Sequence, residues 1–231
     1  MMRPLRIEWT LGTPMVAGAH PLHLDALVAY AVTEEALRSG RHASGSIRDL
    51  ATELPLDKEV RDGEWAWKAS ALSVAAGGSH SMRFWTRKTD AMDYAERVAG
   101  GGIEGKFRFP LKPYAYKIDT QRGIFKQLFK FFPVRQVDKV VAWCIGDLDR
   151  LEEILAPEAG YITHLGSKTR MGFGRITSFS IQVDEAAHAN WERRVLPWPH
   201  EGAVAMRISA HPPYWAQDNQ REAFASPDLF A

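Results

Sequence analysis

The chain has 231 residues and one cysteine, Cys144. A single thiol makes no internal disulfide and no cysteine-based zinc site, so a reducing, cytoplasmic setting is expected. No stretch approaches the roughly 18 unbroken apolar residues of a membrane helix, and no membrane partner is expected. The opening MMRPLRIEWTLG lacks the apolar core of a signal peptide. The acidic residues show no paired-carboxylate or Asp-x-Asp metal pattern, and Glu152-Glu153 reads as a solvated helix face. No Ser-His-Asp or Cys-His order can be argued either. Neither a metal nor any other cofactor is therefore expected. What is present is ordinary for a soluble globular protein, with 45% hydrophobic and 25% charged residues. That excludes a disordered tail and a coiled coil.

The formal net charge of +1 conceals an asymmetry. Residues 80–135 hold 12 Lys and Arg against 5 Asp and Glu, and 11 of the 25 aromatic residues. The remainder is acidic on balance. Local charge, not net charge, sets the potential that a polyanion meets. Three parts follow: residues 1–79, a basic aromatic insertion over 80–135, and residues 136–231.

Alternation over Arg3–Leu11 predicts a half-buried strand, with Leu5, Ile7 and Trp9 on one face. Leu24, Leu27, Val28, Ala31 and Val32 repeat at helical spacing, so Leu22–Ser39 predicts a helix ended by Gly40. Trp65–Ala76 predicts a strand. Asp90–Val98 predicts a short helix. Lys106–Lys117 alternates rings and cations, and its prolines point to an edge or an exposed ribbon. Gln121–Phe132 reads equally as a short helix or a loop arm. Lys139–Ile145 predicts a buried strand, and Asp147–Leu155 a helix capped by Asp147. Arg175–Val183 and Ala203–Ser209 predict strands, and a polar tail follows His211-Pro212-Pro213-Tyr214-Trp215. The order fits an α+β chain with an RRM-like (ferredoxin-like) antiparallel sheet and helices on one face.

Between two of these elements lies Gly166-Ser167-Lys168-Thr169-Arg170-Met171-Gly172-Phe173-Gly174. Glycines permit close backbone approach, so successive amides could face one anion. Lys168 and Arg170 add charge-assisted contacts to phosphate. Phe173 could pack beneath the loop or offer a face to a base. It is not a Walker loop, which needs Gly-Lys followed by Ser or Thr opening a helix; here the glycines run into a strand.

This loop resembles the C-terminal glycine-rich loop of the RAMP proteins of class 1 CRISPR systems. Leu5–Ala31, with Pro21-Leu22-His23-Leu24-Asp25, is similar to the type IV effector subunit that caps the 5′ handle of the guide RNA. Pro212-Pro213-Tyr214-Trp215 is similar to that subunit's ending. The resemblance implies one or two RRM-like folds and a non-catalytic, crRNA-binding role in antiviral defence. The implied partners are crRNA, a repeated backbone subunit, a large subunit, nearby target DNA and an accessory helicase. Such subunits extend a β-hairpin thumb, and residues 80–135 lie where it would fall.

The candidate RNA-binding residues are Gly166 to Gly174, with Arg83, Trp85, Arg87, Lys88, Lys106, Arg108, Lys112, Lys117, Arg122 and Lys126 on the insertion. Lys130 and Arg135 extend the phosphate track, and Phe84, Phe107, Phe109, Tyr114 and Tyr116 join Trp85 as stacking candidates. The bland alternative is a half-solvated sheet, with rings in its core and cations in water. Phe125, Phe129 and Phe132 read as packing contacts, within the chain or to another subunit. Some RAMP proteins are instead metal-independent endoribonucleases that use a histidine. His23 and His42, near the two ends of the first helix, are the residues for that alternative; His20 and His164 are further candidates.

Overall fold

The computed structural model describes residues 1–16, 18, 20–40, 47–74, 78–88, 90–101, 108–109, 112–116, 121–122 and 126–230. In chain order, the first elements are β1 (Met2–Leu11), α1 (Leu24–Arg38), α2 (Ile47–Leu50), β2 (Lys58–Arg61), β3 (Glu64–Trp67) and β4 (Ser73–Val74). Then come β5 (His80–Arg87), α3 (Ala91–Ala99), β6 (Arg108–Phe109), β7 (Lys112–Tyr116) and β8 (Leu128–Arg135). The last are β9 (Lys139–Asp147), α4 (Leu148–Leu155), β10 (Ile176–Val183), α5 (Ala187–Asn190), β11 (Val204–Ser209) and β12 (Gln220–Ala225). The architecture is α+β, and the pairings β1–β10, β1–β9, β4–β9, β2–β3, β6–β7 and β11–β12 are antiparallel. Two compact units divide the chain: residues 1–80 with 134–231, and residues 81–133.

The first unit is organised by a four-stranded sheet in the order β10-β1-β9-β4. The alternation read in β1 fixes its register. Ile7 lies opposite Ala142 on β9 and Ile181 on β10, and Trp9 opposite Val140 and Phe179. These side chains share one face, because successive Cβ atoms alternate. Leu24, Val28 and Ala31 of α1 and Leu151, Ile154 and Leu155 of α4 close the core against it. Asp147 caps α4, its side chain accepting from the Arg150 N–H at 3.2 Å. Cys144 is fully buried here, and burial pushes its thiol pKa up, which leaves it inert.

The opposite face of the sheet is covered along β9. Trp143 and Ile145 pack with Ala66, Trp191, Leu196 and Trp198, and α5 lies against β1 and β9. A third cluster, Val195, Ala210, Ala223 and Ala225, holds the β11–β12 hairpin.

Three expectations are corrected. Trp65–Ala76 is not one strand. It pairs first with β2 as β3, and its later residues join the sheet as β4. The crossover is fixed by Ser70, whose hydroxyl donates to the Ala71 carbonyl and accepts from the Trp143 N–H. The polar tail is not without structure, since Gln220–Ala225 forms β12; it and β2 are strands because a partner satisfies them, not because they alternate apolar residues. Finally, the end of Gln121–Phe132 is neither helix nor loop: from Leu128 it is part of the strand β8, paired with β5.

The second unit contains the two-stranded ribbon β5–β8, the helix α3 and the short β6–β7 hairpin. Phe84, Phe129 and Phe131 form an exposed ring cluster on the ribbon, with centroids 4.9–6.3 Å apart. Tyr94 and Phe132 are buried.

Candidate nucleic-acid interface

The 166–174 loop is pinned by residues 13–16, the segment that follows β1. Ser167 N–H donates to the Val16 carbonyl at 3.0 Å and Gly174 N–H to the Pro14 carbonyl at 2.8 Å. The Thr13 hydroxyl donates to the Gly172 carbonyl at 2.7 Å and accepts from the Arg175 N–H at 2.9 Å. Leu165 N–H closes the base of the loop on the Gly174 carbonyl at 2.8 Å. Within it, Thr169–Met171 form one 3-10 turn, preceded by Lys168 in the left-handed conformation with φ 61°.

This geometry modifies the anion-cradle expectation. The amides of Ser167, Met171, Gly172 and Gly174 are all donated to carbonyls of the protein itself. The loop therefore does not present an unbroken row of amides to an anion. What it presents is Lys168 and Arg170, both exposed, on a backbone fixed at both ends. The glycines divide by role. A Cβ at Gly174 would stand 1.9 Å from the Leu165 carbonyl oxygen, so close approach excludes any side chain there. A Cβ at Gly172 meets open space, and only its φ of +84° favours glycine. Ser167 and Met171 are exposed, while Thr169 and Phe173 are half-buried.

Beside the loop runs a groove of about 520 Å³. Leu22, just before α1, and Leu27 and Tyr30 of α1 form one wall; Tyr161, His164 and Arg170 are on the other side. Arg38 places its guanidinium over Tyr161, 4.7 Å from the ring centroid. His164 Nδ1 lies 2.9 Å from the Thr163 hydroxyl.

On the second unit, Arg83, Trp85 and Arg87 are exposed on β5, and Lys88 follows them. Arg122, Lys126 and Lys130 are exposed as well. Arg108 and Phe109 lie on β6, and Lys112, Tyr114 and Tyr116 on β7. Lys106, Phe107, Lys117 and Phe125 lie outside the described residues. Alternation along the ribbon sorts its side chains. Arg83, Trp85 and Arg87 share one face of β5, and Met82 and Phe84 the other. Phe84 and Phe129 are 64% and 63% exposed, so these rings are not core. Phe132 is the packing residue it was expected to be; Phe129 is not buried within the chain.

The histidines expected near the first helix are placed differently from one another. His42 lies outside the described residues. His23 occupies the N-cap position of α1 without a side-chain cap, only 2% exposed. Its Nε2 accepts from the Val195 N–H at 3.2 Å, and its ring stacks on Tyr214 at 4.9 Å. Burial, aided by the neighbouring Arg194 charge, holds its pKa well below the usual histidine value. It is a neutral core residue with its acceptor nitrogen occupied.

The family model for the CRISPR type IV associated protein Csf3 matches residues 3–226. The chain belongs to that family. It is accordingly a type IV CRISPR effector subunit, a component of a multi-subunit complex. No curated protein gives a significant match.

Within this family member, one feature was missed in the sequence. Arg194, in the run WERRVLPW, has no exposed surface. It donates to the carbonyls of Trp67, Ala69 and Ala210, to Asp25 Oδ2 at 2.9 Å and to the Tyr214 hydroxyl at 2.8 Å. Tyr214 in turn donates to Asp25. Burial raises the Tyr214 pKa well above the usual phenol value, so it stays a donor. The two stretches that carried the resemblance, around Asp25 and around Tyr214, thus meet on one guanidinium. A carboxylate inside Leu-His-Leu-Asp and a tyrosine after two prolines were the visible signals; nothing local marks Arg194 as their partner.

Proposed function

We propose that this chain is the non-catalytic RAMP subunit that binds the crRNA and caps its 5′ handle. It acts as the nucleus on which the backbone subunits assemble for DNA targeting. The observation that carries the reading is the pair Lys168 and Arg170, held outward on a loop whose backbone is tied down at both feet. With the backbone beneath them already ordered, such cations neutralise phosphates at the cost of side-chain ordering alone, and the binding they give weakens as salt rises. The type IV family supports the setting.

The strand order β10-β1-β9-β4, with α1 and α4 on one face, supports an RRM-like core. RRM sheets bind RNA on the face away from the helices. Here the tryptophan cluster fills that face along β9, which moves the RNA to the loop edge. On the arm, the cationic face of β5 adds phosphate contacts and Trp85 a stacking surface. The handle is read as splayed single strand, since sequence-specific RNA recognition needs unpaired edges. A large subunit, target DNA and an accessory helicase are partners at the level of the whole cytoplasmic complex. Of the two histidines named for the endoribonuclease alternative, the described one, His23, lies in the core.

The test is a gel shift of the purified chain against repeat-derived RNA at physiological salt. Lys168→Glu with Arg170→Glu should weaken binding well over tenfold. Unchanged affinity would refute the loop assignment, and discrete metal-free cleavage of the RNA would refute the non-catalytic assignment.

A further inference from the structure

Two grooves flank α1, and Tyr30 lines both. The first is the one beside the 166–174 loop. The second, of about 270 Å³, has Ala26, Ala29 and Thr33 of α1 as its floor and Pro213 and Trp215 as its far wall. Tyr30 is 52% exposed and Trp215 is 68% exposed. Neither ring is needed to fill the core. Arg48 lies over Trp215, 5.7 Å from its centroid.

We infer that Tyr30 divides two slots that hold successive unpaired bases of one ribonucleotide strand, which runs from the cationic loop across α1 to Trp215. This rests on the RNA-binding reading of the loop and extends it to residues that the loop motif does not contain. Three features select a nucleotide strand over a protein segment. Flat rings bound both grooves, Tyr161, His164 and Tyr30 in the first and Tyr30 and Trp215 in the second. Stacking on such rings tolerates any base. The small residues Ala26 and Ala29 leave a low floor into which a planar group can slide. At its outer end the first groove is continuous with Arg170, where a strand's phosphate would be neutralised. The first groove lies within the size range of about 300–1,000 Å³ for small-ligand sites; the second, slightly smaller, suits a base without its sugar.

The experiment uses the full-length chain and repeat-derived RNA carrying 2-aminopurine at one position at a time. Two neighbouring positions should be quenched on binding. Tyr30→Ala should relieve quenching at both and weaken binding about tenfold. Trp215→Ala should relieve it at one position only. Both side chains are exposed, so neither variant should unfold the chain. Quenching that survives Tyr30→Ala while Lys168→Glu with Arg170→Glu abolishes binding overturns the slots and leaves the loop reading intact. The reverse result removes the loop as the start of the strand and overturns the path inferred here together with the loop reading. Survival of quenching together with loss of a co-purifying complex subunit in Tyr30→Ala assigns the grooves to a protein segment and overturns the inference.

Discussion

The chain uses cationic side chains in two opposite ways. Arg194 is fully buried, and its guanidinium is consumed by three carbonyls beyond its own turn, a carboxylate and a phenol. Lys168 and Arg170 are exposed, and the loop that carries them is held by its backbone and by the hydroxyls of Thr13 and Ser167. The first arrangement stabilises the fold and leaves nothing for a ligand. The second is stabilised by the fold and leaves both charges for one. A count of positive residues along the sequence treats all three as equivalent.

The contrast breaks most sharply at Arg194. Arg194→Met leaves the Asp25 charge in the core with only the Tyr214 hydroxyl donating to it, and should cost about 3–5 kcal/mol in urea unfolding. Replacing both members of the pair, Asp25→Leu with Arg194→Met, should recover part of that loss, because no buried charge then remains. If the single variant unfolds at wild-type urea concentrations, the network is not structural. The loop glycines come next. Gly174→Val must displace the Leu165 carbonyl and should cost about 3 kcal/mol, whereas Gly172→Ala meets only its backbone preference and should cost about 1 kcal/mol. Equal melting temperatures for the two would contradict the close approach at Gly174.

Charge reversal at Lys168 and Arg170 sharpens the other side of the comparison. Binding should fall by more than tenfold, or about 1.4 kcal/mol, with stability changed by no more than about 0.5 kcal/mol. A matching fall in stability would make these cations structural after all. The smallest effect is in pH. His23 is buried neutral, so its folded pKa lies below its unfolded value. Below about pH 6.5 the unfolded chain binds a proton that the folded chain resists, and stability should decline with acidity. The loss should be roughly 1 kcal/mol by about pH 6 and should continue downward until the folded pKa is reached. His211, whose pKa burial also lowers, acts in the same direction. A flat unfolding profile between neutral and mildly acid pH would contradict a neutral, buried His23.

The sequence was legible where a residue's fate depends on near neighbours. The alternation of Leu5, Ile7 and Trp9 placed β1, the spacing of Leu24, Val28 and Ala31 placed α1, and Asp147 marked the start of α4. The loop's cations were visible for the same reason, as a glycine-bounded run before an alternating strand. Legibility ended where a distant partner decides. Gln220–Ala225 is a strand because Val204–Ser209 lies beside it, and Ser70 turns the chain because Trp143 takes its hydroxyl. Phe129 and Phe132 are three positions apart in one aromatic run, yet one is exposed and the other buried, because strand geometry sends them to opposite faces. The run's composition alone could not separate them.

The placement of β1 has a consequence for synthesis on the ribosome. Its two neighbours in the sheet, β9 and β10, are translated long after it, on the far side of the whole 81–133 unit. Asp25 waits longer still, until Arg194 and Tyr214 have emerged. A nascent chain must therefore carry an unpaired, apolar-faced strand and a hydrated carboxylate through most of its elongation. The first unit then closes late and as a whole, which makes the 81–133 unit the earlier of the two to complete its own contacts.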